Sequence, residues 1–146
     1  MRTKADEAEE LFNNGFNCAQ AVLSSHCEDF GLDGETAKKL ACAFGGGMGH
    51  IDEACGAFTG ALMLIGLKYG QYKEADMESR EQTYKTVKDF TRKFKAEFGT
   101  IYCARLIKYN LSDDEELRKA RESGVIKKTC PAFVRRAVSM VEEYLA

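Results

Sequence analysis

Apolar residues recur at spacings of three and four along most of this chain of 146 residues, and strict alternation is rare. Such spacing is typical of amphipathic α-helices, whereas alternation would indicate β-strands. The apolar residues between positions 5 and 12 predict a first helix that ends near Gly15. The chain has one proline, Pro131, so little interrupts the pattern. We therefore predict an all-α fold.

Residues that favour helix N-termini precede the next three helical segments. Asn17 precedes a segment that runs to Gly31, and Asp33 precedes one that ends in the glycine-rich stretch 45–49. Asp52 precedes a strongly apolar stretch, for which we predict a helix over about residues 53–69.

The second half of the chain predicts four further helical segments, over residues 74–98, 100–108, 112–124 and 130–145. Thr100 is the expected N-cap of the second, and Ser112 forms a capping box with Glu115 at the start of the third. The last is expected to begin at Cys130–Pro131. We predict a compact single-domain bundle of about six to eight helices around the helix at 53–69.

Glycines occupy positions 56, 60 and 66 of that central helix, although glycine costs a helix interior about 1 kcal/mol relative to alanine. Gly56 and Gly60 are four residues apart and therefore share one face, which another backbone can approach closely. We expect the helix to be tightly packed on this face. The same face can pair with a second copy of the chain, so the sequence leaves a homodimer open.

Composition excludes several classes of function. A net charge of −2 gives no electrostatic reason to expect nucleic-acid binding. No apolar run is long enough to cross a bilayer, and the acidic N-terminal residues do not resemble a secretory signal. We therefore expect a cytoplasmic protein without membrane insertion.

Six cysteines are many for a reducing compartment, where disulfides are uncommon. Four of them fall in the first turns of predicted helices: Cys18, Cys55, Cys103 and Cys130. First-turn amides have no intrahelical acceptor and the helix dipole is positive there, so the thiolate is favoured. Cys27 and Cys42 lack this context, and we interpret them as packing residues. Since free cysteine is often buried, spacing alone leaves a packing role open for the other four.

The glycine-rich stretch 43–50 lacks the lysine of a P-loop and a preceding strand, so it is not a nucleotide signature. Its glycines predict a close-packed turn with positive φ angles. The backbone of Gly46, Gly47 and Gly49 can in addition approach a sulfur or a bound cofactor. His50 is an extra candidate as a metal ligand or proton donor.

The spacing of the cysteines excludes several known sites. There is no C-x-x-C motif, which excludes a thioredoxin-type pair and a zinc ribbon. The serine-hydrolase and zinc-protease motifs are absent as well. Any site made from these thiols therefore requires the fold to bring four distant segments together.

Five ordered segments together resemble the C_GCAxxG_C_C family of redox-active proteins, which are small bacterial and archaeal proteins. They are "GFNCAQAVL" (15–23), "FGGGMG" (44–49), "CGAFTGALMLIGL" (55–67), "GTIYCARL" (99–106) and "KKTCPAFV" (127–134). The resemblance implies that the four signature thiols are Cys18, Cys55, Cys103 and Cys130. The order at positions 55–57 is cysteine, glycine, alanine, where the family name has glycine and cysteine before alanine.

Three functions are compatible with these observations. In the first, which we favour, the four cysteines serve an oxidoreductase component or electron carrier, with an unidentified redox partner protein. They would ligate an iron–sulfur cluster or another soft metal, or form exchanging disulfides. In the second, the four thiolates hold a structural zinc ion. In the third, the chain is a helical interaction protein whose cysteines fill the core.

Overall fold

The computed structural model describes all 146 residues and confirms the all-α prediction. The helical segments are α1 (Lys4–Asn13), α2 (Cys18–His26), α3 (Gly34–Cys42), α4 (Gly45–His50), α5 (Gly56–Tyr69), α6 (Met77–Phe98), α7 (Cys103–Ile107), α8 (Asp114–Ser123) and α9 (Val125–Leu145). A 3₁₀ turn, Cys27–Phe30, follows α2. The one pairing of β type is an isolated bridge between Ala54 and Tyr102.

Several helix termini agree with the sequence pattern. The side chain of Asn17 accepts a hydrogen bond from the Gln20 amide, and that of Asp33 accepts one from the Thr36 amide. Gly99 ends α6 with a φ angle of 83°, the left-handed conformation that glycine favours. These ends were predictable because each depends on residues within one turn of the terminus.

The N-termini of α5 and α7 are not where the sequence places them. α5 begins at Gly56 rather than after Asp52, and α7 begins at Cys103 rather than after Thr100. The segments before both helices are paired with each other, because the Cys55 amide donates to the Ile101 carbonyl at 2.7 Å. In return, the Cys103 amide donates to the carbonyl of residue 53 in the opposite segment, at 3.0 Å. This pairing keeps both segments extended and delays both helices.

The last helix also begins earlier than predicted, at Val125, directly after Gly124 in a left-handed conformation. Cys130 and Pro131 are its sixth and seventh residues rather than its start. Proline has no amide hydrogen, so the helix lacks only the bond that residue 131 would donate to the Lys127 carbonyl. The proline was wrongly interpreted as a helix start.

Two smaller predictions are also wrong. α6 begins at Met77, after Asp76, rather than near residue 74. At α8 the N-cap is Asp113, whose side chain accepts from the Glu116 amide, and not Ser112. Since Ser112 is not the N-cap, the predicted capping box with residue 115 does not form, and the Glu115 carboxylate pairs with Arg118 instead.

α5 is the central helix, as predicted, and it packs against α2, α6 and α9. One face of α5 lies against the α2 backbone, since a Cβ added at Gly60 would lie 2.9 Å from the Ala19 carbonyl oxygen. The opposite side carries Phe58, which packs against Phe90 and Phe94 of α6 at ring-centroid distances of 5.8 and 5.4 Å. The close approach expected from the glycine spacing is therefore confirmed.

Two apolar side chains whose helical spacing matches that of core residues are exposed. Leu40 of α3 and Tyr84 of α6 both have relative exposures of 54%. The buried side of α3 is formed by the smaller residues Ala37 and Ala41, which let α3 lie close to the rest of the bundle. No helix has the length and apolar character that crossing a membrane requires.

Candidate functional site

Five of the six cysteines line one cavity. Its volume is about 480 Å³, and its walls come from α2, α4, α7 and α9 together with the segments before and after them. The cysteines are Cys18, Cys42, Cys55, Cys103 and Cys130. The fold therefore brings together the four distant segments that carry the candidate thiols.

Cys18 is the first residue of α2, directly after its N-cap Asn17. The Asn17 side chain forms two hydrogen bonds: its oxygen accepts from the Gln20 amide and its nitrogen donates to the Cys42 carbonyl, each at 2.9 Å. These bonds tie the start of α2 to the end of α3. The position of Cys18, predicted from the N-cap, is confirmed, and its side chain is 8% exposed.

The glycine-rich stretch forms a left-handed turn beside Cys18. Its φ angles at Gly46, Gly47, Met48 and Gly49 lie between 64° and 75°, and His50 has 66°. Residues other than glycine pay about 1–2 kcal/mol for this conformation. The turn directs the Gly46 amide at the Cys18 sulfur. Positive φ angles were predicted here, and the structure confirms them.

Cys55 lies next to Cys18 as the N-cap of α5, not as its third residue. Gly56 permits this contact, since a Cβ added there would lie 2.6 Å from the Cys18 sulfur and 2.9 Å from the Ala19 amide nitrogen. Without a side chain at position 56, the two helix starts meet with the sulfurs between them. The glycine after Cys55 therefore serves the site as well as the helix packing.

The Cys18 and Cys55 thiols affect each other's ionisation. A hydrogen bond from Cys55, together with the amides of Gly46, Cys18 and Gly56, lowers the pKa of Cys18 to about 6. The same hydrogen bond and the negative charge of Cys18, with burial, raise the pKa of Cys55 well above its ordinary value. At neutral pH the pair thus carries one negative charge, on Cys18, and one proton, on Cys55.

Cys103 and Cys130 are neutral thiols of the same cavity. Burial, and then the charge of Cys18, raises the pKa of Cys103 to about 12 and that of Cys130 further. Cys103 is the first residue of α7, where a third-residue position was predicted. Cys130 lies inside α9, so the prediction that it occupies a first turn is wrong. It reaches the cavity because of tertiary packing alone.

The chemistry of the donor set suits a soft metal, but its arrangement does not. Thiolates and imidazole are the ligands that iron–sulfur clusters and zinc prefer. However, no three histidine, cysteine, aspartate or glutamate side chains are placed so that they could hold one ion. All six cysteines are free thiols. His50 lines the cavity, and its ring packs over Gly46, where an added Cβ would lie 2.5 Å from its Cδ2.

The two remaining cysteines differ from each other. Cys27 is 1% exposed, lies outside the cavity and donates weakly to the Ser24 carbonyl, in keeping with a packing role. Cys42 ends α3, is exposed and borders the cavity, so it does not pack in the core. Its place at the cavity had no sequence signal, because it depends on the side-chain bond from Asn17 to its carbonyl.

The apolar wall of the cavity was also missed. It is formed by Phe12, Phe16, Leu106, Ile107, Leu111, Ile126 and Phe133. In the sequence these residues are indistinguishable from core residues, because their helical spacing is the same. Lys127, the one lysine, arginine, aspartate or glutamate of the lining, had no signal either.

The lowered pKa of Cys18 predicts an unusual pH profile of alkylation. Since the thiolate is the reactive form, the rate of Cys18 modification by iodoacetamide should rise through about pH 6 and level off near pH 7.5. An ordinary thiol titrates near 8.5. Site-resolved mass spectrometry after short exposures gives the rate, with the exposed Cys42 as an internal control. A Cys18 profile centred near 8.5 would contradict the assignment.

One comparison with known proteins gives a match. The family model described as "Putative redox-active protein (C_GCAxxG_C_C)" matches residues 16–144. No curated protein and no solved structure matches the chain.

Proposed function

This chain belongs to the C_GCAxxG_C_C family of redox-active proteins, and from that premise we propose that it carries out thiol–disulfide exchange through Cys18 and Cys55. The observation that carries the proposal is the pair itself. A thiolate held by three amides accepts a hydrogen bond from a second thiol, in an apolar cavity. Such a pair has a nucleophile and a resolving thiol already in place.

The first step uses the charge on Cys18. Its thiolate attacks one sulfur of a disulfide R–S–S–R′, so that a Cys18–S–S–R bond forms and R′–S⁻ leaves. The amides of Gly46 and Gly56 hold Cys18 ionised and oriented before the attack. The substrate disulfide is the oxidant, and no other is required.

The second step follows from the loss of that charge. Once Cys18 is a mixed disulfide, the largest cause of the raised pKa of Cys55 is gone, while the amides of Ala57 and Phe58 still favour its thiolate. The proton of Cys55 passes to R′–S⁻, and the Cys55 thiolate attacks the Cys18 sulfur. The products are a Cys18–Cys55 disulfide, R′–SH and R–S⁻, which balances both atoms and electrons.

The remaining groups of the cavity have supporting roles in this proposal. His50 is placed to give a proton to a leaving thiolate. Cys103 and Cys130 are neutral and can receive the disulfide from the first pair by exchange. Reduction of the protein disulfide then requires a dithiol, which an unidentified redox partner protein would supply.

The decisive experiment determines both metal content and disulfide connectivity. The protein is purified without oxygen, iron, zinc and sulfide are measured, and one equivalent of a small disulfide is added before peptide mapping. We expect sub-stoichiometric metal and a Cys18–Cys55 linkage that also forms in a Cys103→Ser/Cys130→Ser variant. Cys27→Ala is the matched control, since this buried cysteine lies outside the cavity.

Other outcomes would favour the other functions. Stoichiometric iron with sulfide would indicate a cluster, and stoichiometric zinc with unfolding on chelation would indicate a structural zinc module. Unreactive thiols without metal would indicate core cysteines in an interaction protein.

A further inference from the structure

We propose that the cavity selects low-molecular-weight disulfides that combine an apolar body with a carboxylate, and that it excludes the disulfides of folded proteins. This inference rests on the thiol exchange proposed above and adds its substrate class. Three features of the cavity carry it: the depth of the sulfurs, the apolar wall and the charge of the polar groups that have no partner.

The depth of the reactive sulfurs excludes folded proteins. Cys18 and Cys55 are 8% and 5% exposed, within a cavity of about 480 Å³. Cavities of about 300–1,000 Å³ bind small molecules. Attack on a disulfide requires the three sulfurs to approach in line, which a disulfide on the surface of another globular protein cannot do at this depth.

The wall of the cavity favours an apolar body. Seven of its nineteen lining residues have large aliphatic or aromatic side chains. Phe12, Phe16 and Phe133 supply aromatic surface, and Ile107 and Ile126 supply aliphatic surface. An aromatic or alkyl substituent gains free energy on leaving water for this wall, whereas a strongly hydrated one loses it.

The polar groups of the cavity favour a negative charge on the substrate. The Asn17 side chain is engaged by the backbone of residues 20 and 42. That leaves the side chains of His50 and of the exposed Lys127, neither of which forms an ion pair within the protein. No aspartate or glutamate lines the cavity, so its one anionic group is the Cys18 thiolate, which loses its charge when the mixed disulfide forms. Both free groups are hydrogen-bond donors that suit a carboxylate.

The net reaction is that of the proposed function, in which the substituent R is now an apolar group that carries a carboxylate. R–S–S–R and the reduced pair give one R–SH, one R–S⁻ and the Cys18–Cys55 disulfide, so the substrate is reduced and the protein is oxidised by two electrons. A dithiol reductant returns the protein to its starting state.

The test compares four disulfides in stopped-flow experiments with the whole reduced protein. The probes are 5,5′-dithiobis(2-nitrobenzoate), which is aromatic and anionic, 4,4′-dithiodipyridine, which is aromatic and neutral, cystamine, which is aliphatic and cationic, and insulin, a folded protein. Each rate is divided by that of the same probe with a small thiol, which removes differences in intrinsic reactivity. We expect the normalised rates to fall in this order. The rate with insulin should be at least about tenfold below the rates with the aromatic probes, which corresponds to an increase of about 1.4 kcal/mol in the activation free energy.

Matched variants separate the cavity from general effects. Ile126→Trp narrows the cavity and should slow both aromatic probes by about tenfold, whereas Val125→Trp, at a neighbour that does not line the cavity, should not. Lys127→Gln should slow the anionic probe by about threefold, an effect that shrinks with salt, and leave the neutral probe unchanged. Lys128→Gln is its control.

The outcomes distinguish this inference from the function on which it rests. If the Cys18–Cys55 disulfide forms with every probe, insulin included, at similar normalised rates, the substrate class is wrong and thiol exchange stands. A cationic probe faster than the anionic one also overturns it. If no probe produces the linkage, thiol exchange fails and the substrate class fails with it. Thermal melting of each variant shows whether a slow rate reflects unfolding.

Discussion

Cys55→Ser is expected to stop the reaction after its first step. With a small aromatic disulfide, the wild-type protein should release two equivalents of probe thiol rapidly, and Cys55→Ser should release one. The second half of the probe should stay on Cys18, because serine 55 cannot attack the mixed disulfide. Absorbance gives the released thiol, and the intact mass of the variant gives the trapped adduct.

Cys18→Ser is expected to lose the rapid phase itself. The pKa of Cys18 is about 6, so at about pH 5.5 an ordinary thiol is about 240-fold less ionised. The greater nucleophilicity of a more basic thiolate recovers about tenfold of this difference. We therefore expect a net loss of about twentyfold at that pH, and a smaller loss near neutrality, where Cys55 can take over.

The contrast between the two variants tests the assignment of roles. Cys27→Ala and Cys42→Ser serve as controls, and both should release two equivalents as the wild type does. If Cys18→Ser traps the adduct and Cys55→Ser loses the rapid phase, the roles of the two thiols are reversed. If both variants release two equivalents, another pair in the cavity carries the exchange.

Gly60→Ala and Gly66→Ala are expected to change stability in opposite directions, although both lie in the same helix. A Cβ at Gly60 would lie 2.9 Å from the Ala19 carbonyl oxygen and 3.0 Å from the Val22 Cβ. Since the first neighbour is backbone, α2 or α5 must shift. Overpacking of this kind costs typically about 1–3 kcal/mol, which exceeds the helix-propensity gain.

At Gly66 an added Cβ meets nothing within 4 Å. Only the gain from replacing a helical glycine remains, about 0.5–1 kcal/mol. Thermal unfolding of the reduced proteins should show a lower midpoint for Gly60→Ala and a midpoint about 2–3 °C higher for Gly66→Ala. If the two variants are equally destabilised, the close approach of α2 to α5 is contradicted. If they are equally stabilised, α2 and α5 can move apart without a measurable loss of stability.

The difference between these two glycines shows which features of helix packing can be predicted from the sequence. The spacing of Gly56 and Gly60 predicted one close-packed face, and the structure places the α2 backbone on it. Gly66 has the same helix-propensity cost, yet nothing in the sequence shows that the space beside it is empty. The sequence pattern indicates which helix face carries small residues, but only the tertiary structure decides whether another helix packs against that face.

The cysteines differ in the same way. Cys18 was placed correctly because Asn17 caps its helix through contacts within three residues. Cys55 and Cys103 were misplaced by two or three residues, because the segments before them pair with each other across a long stretch of chain. Cys130 was expected at a helix start and lies inside α9 instead, yet it lines the same cavity.

By itself, the sequence determined the helical character, the C-terminal ends of most helices and the small face of α5, and it predicted a set of four cysteines. These depend on periodicity, on capping within one turn and on ordered motifs, all of which are local. Tertiary structure alone decided that Cys18 meets Cys55, that Gly46 directs its amide at the same sulfur, and that an apolar cavity with Lys127 in its lining surrounds them. The charge on a thiol depends on contacts between distant segments, and these contacts cannot be deduced from the spacing of residues along the chain.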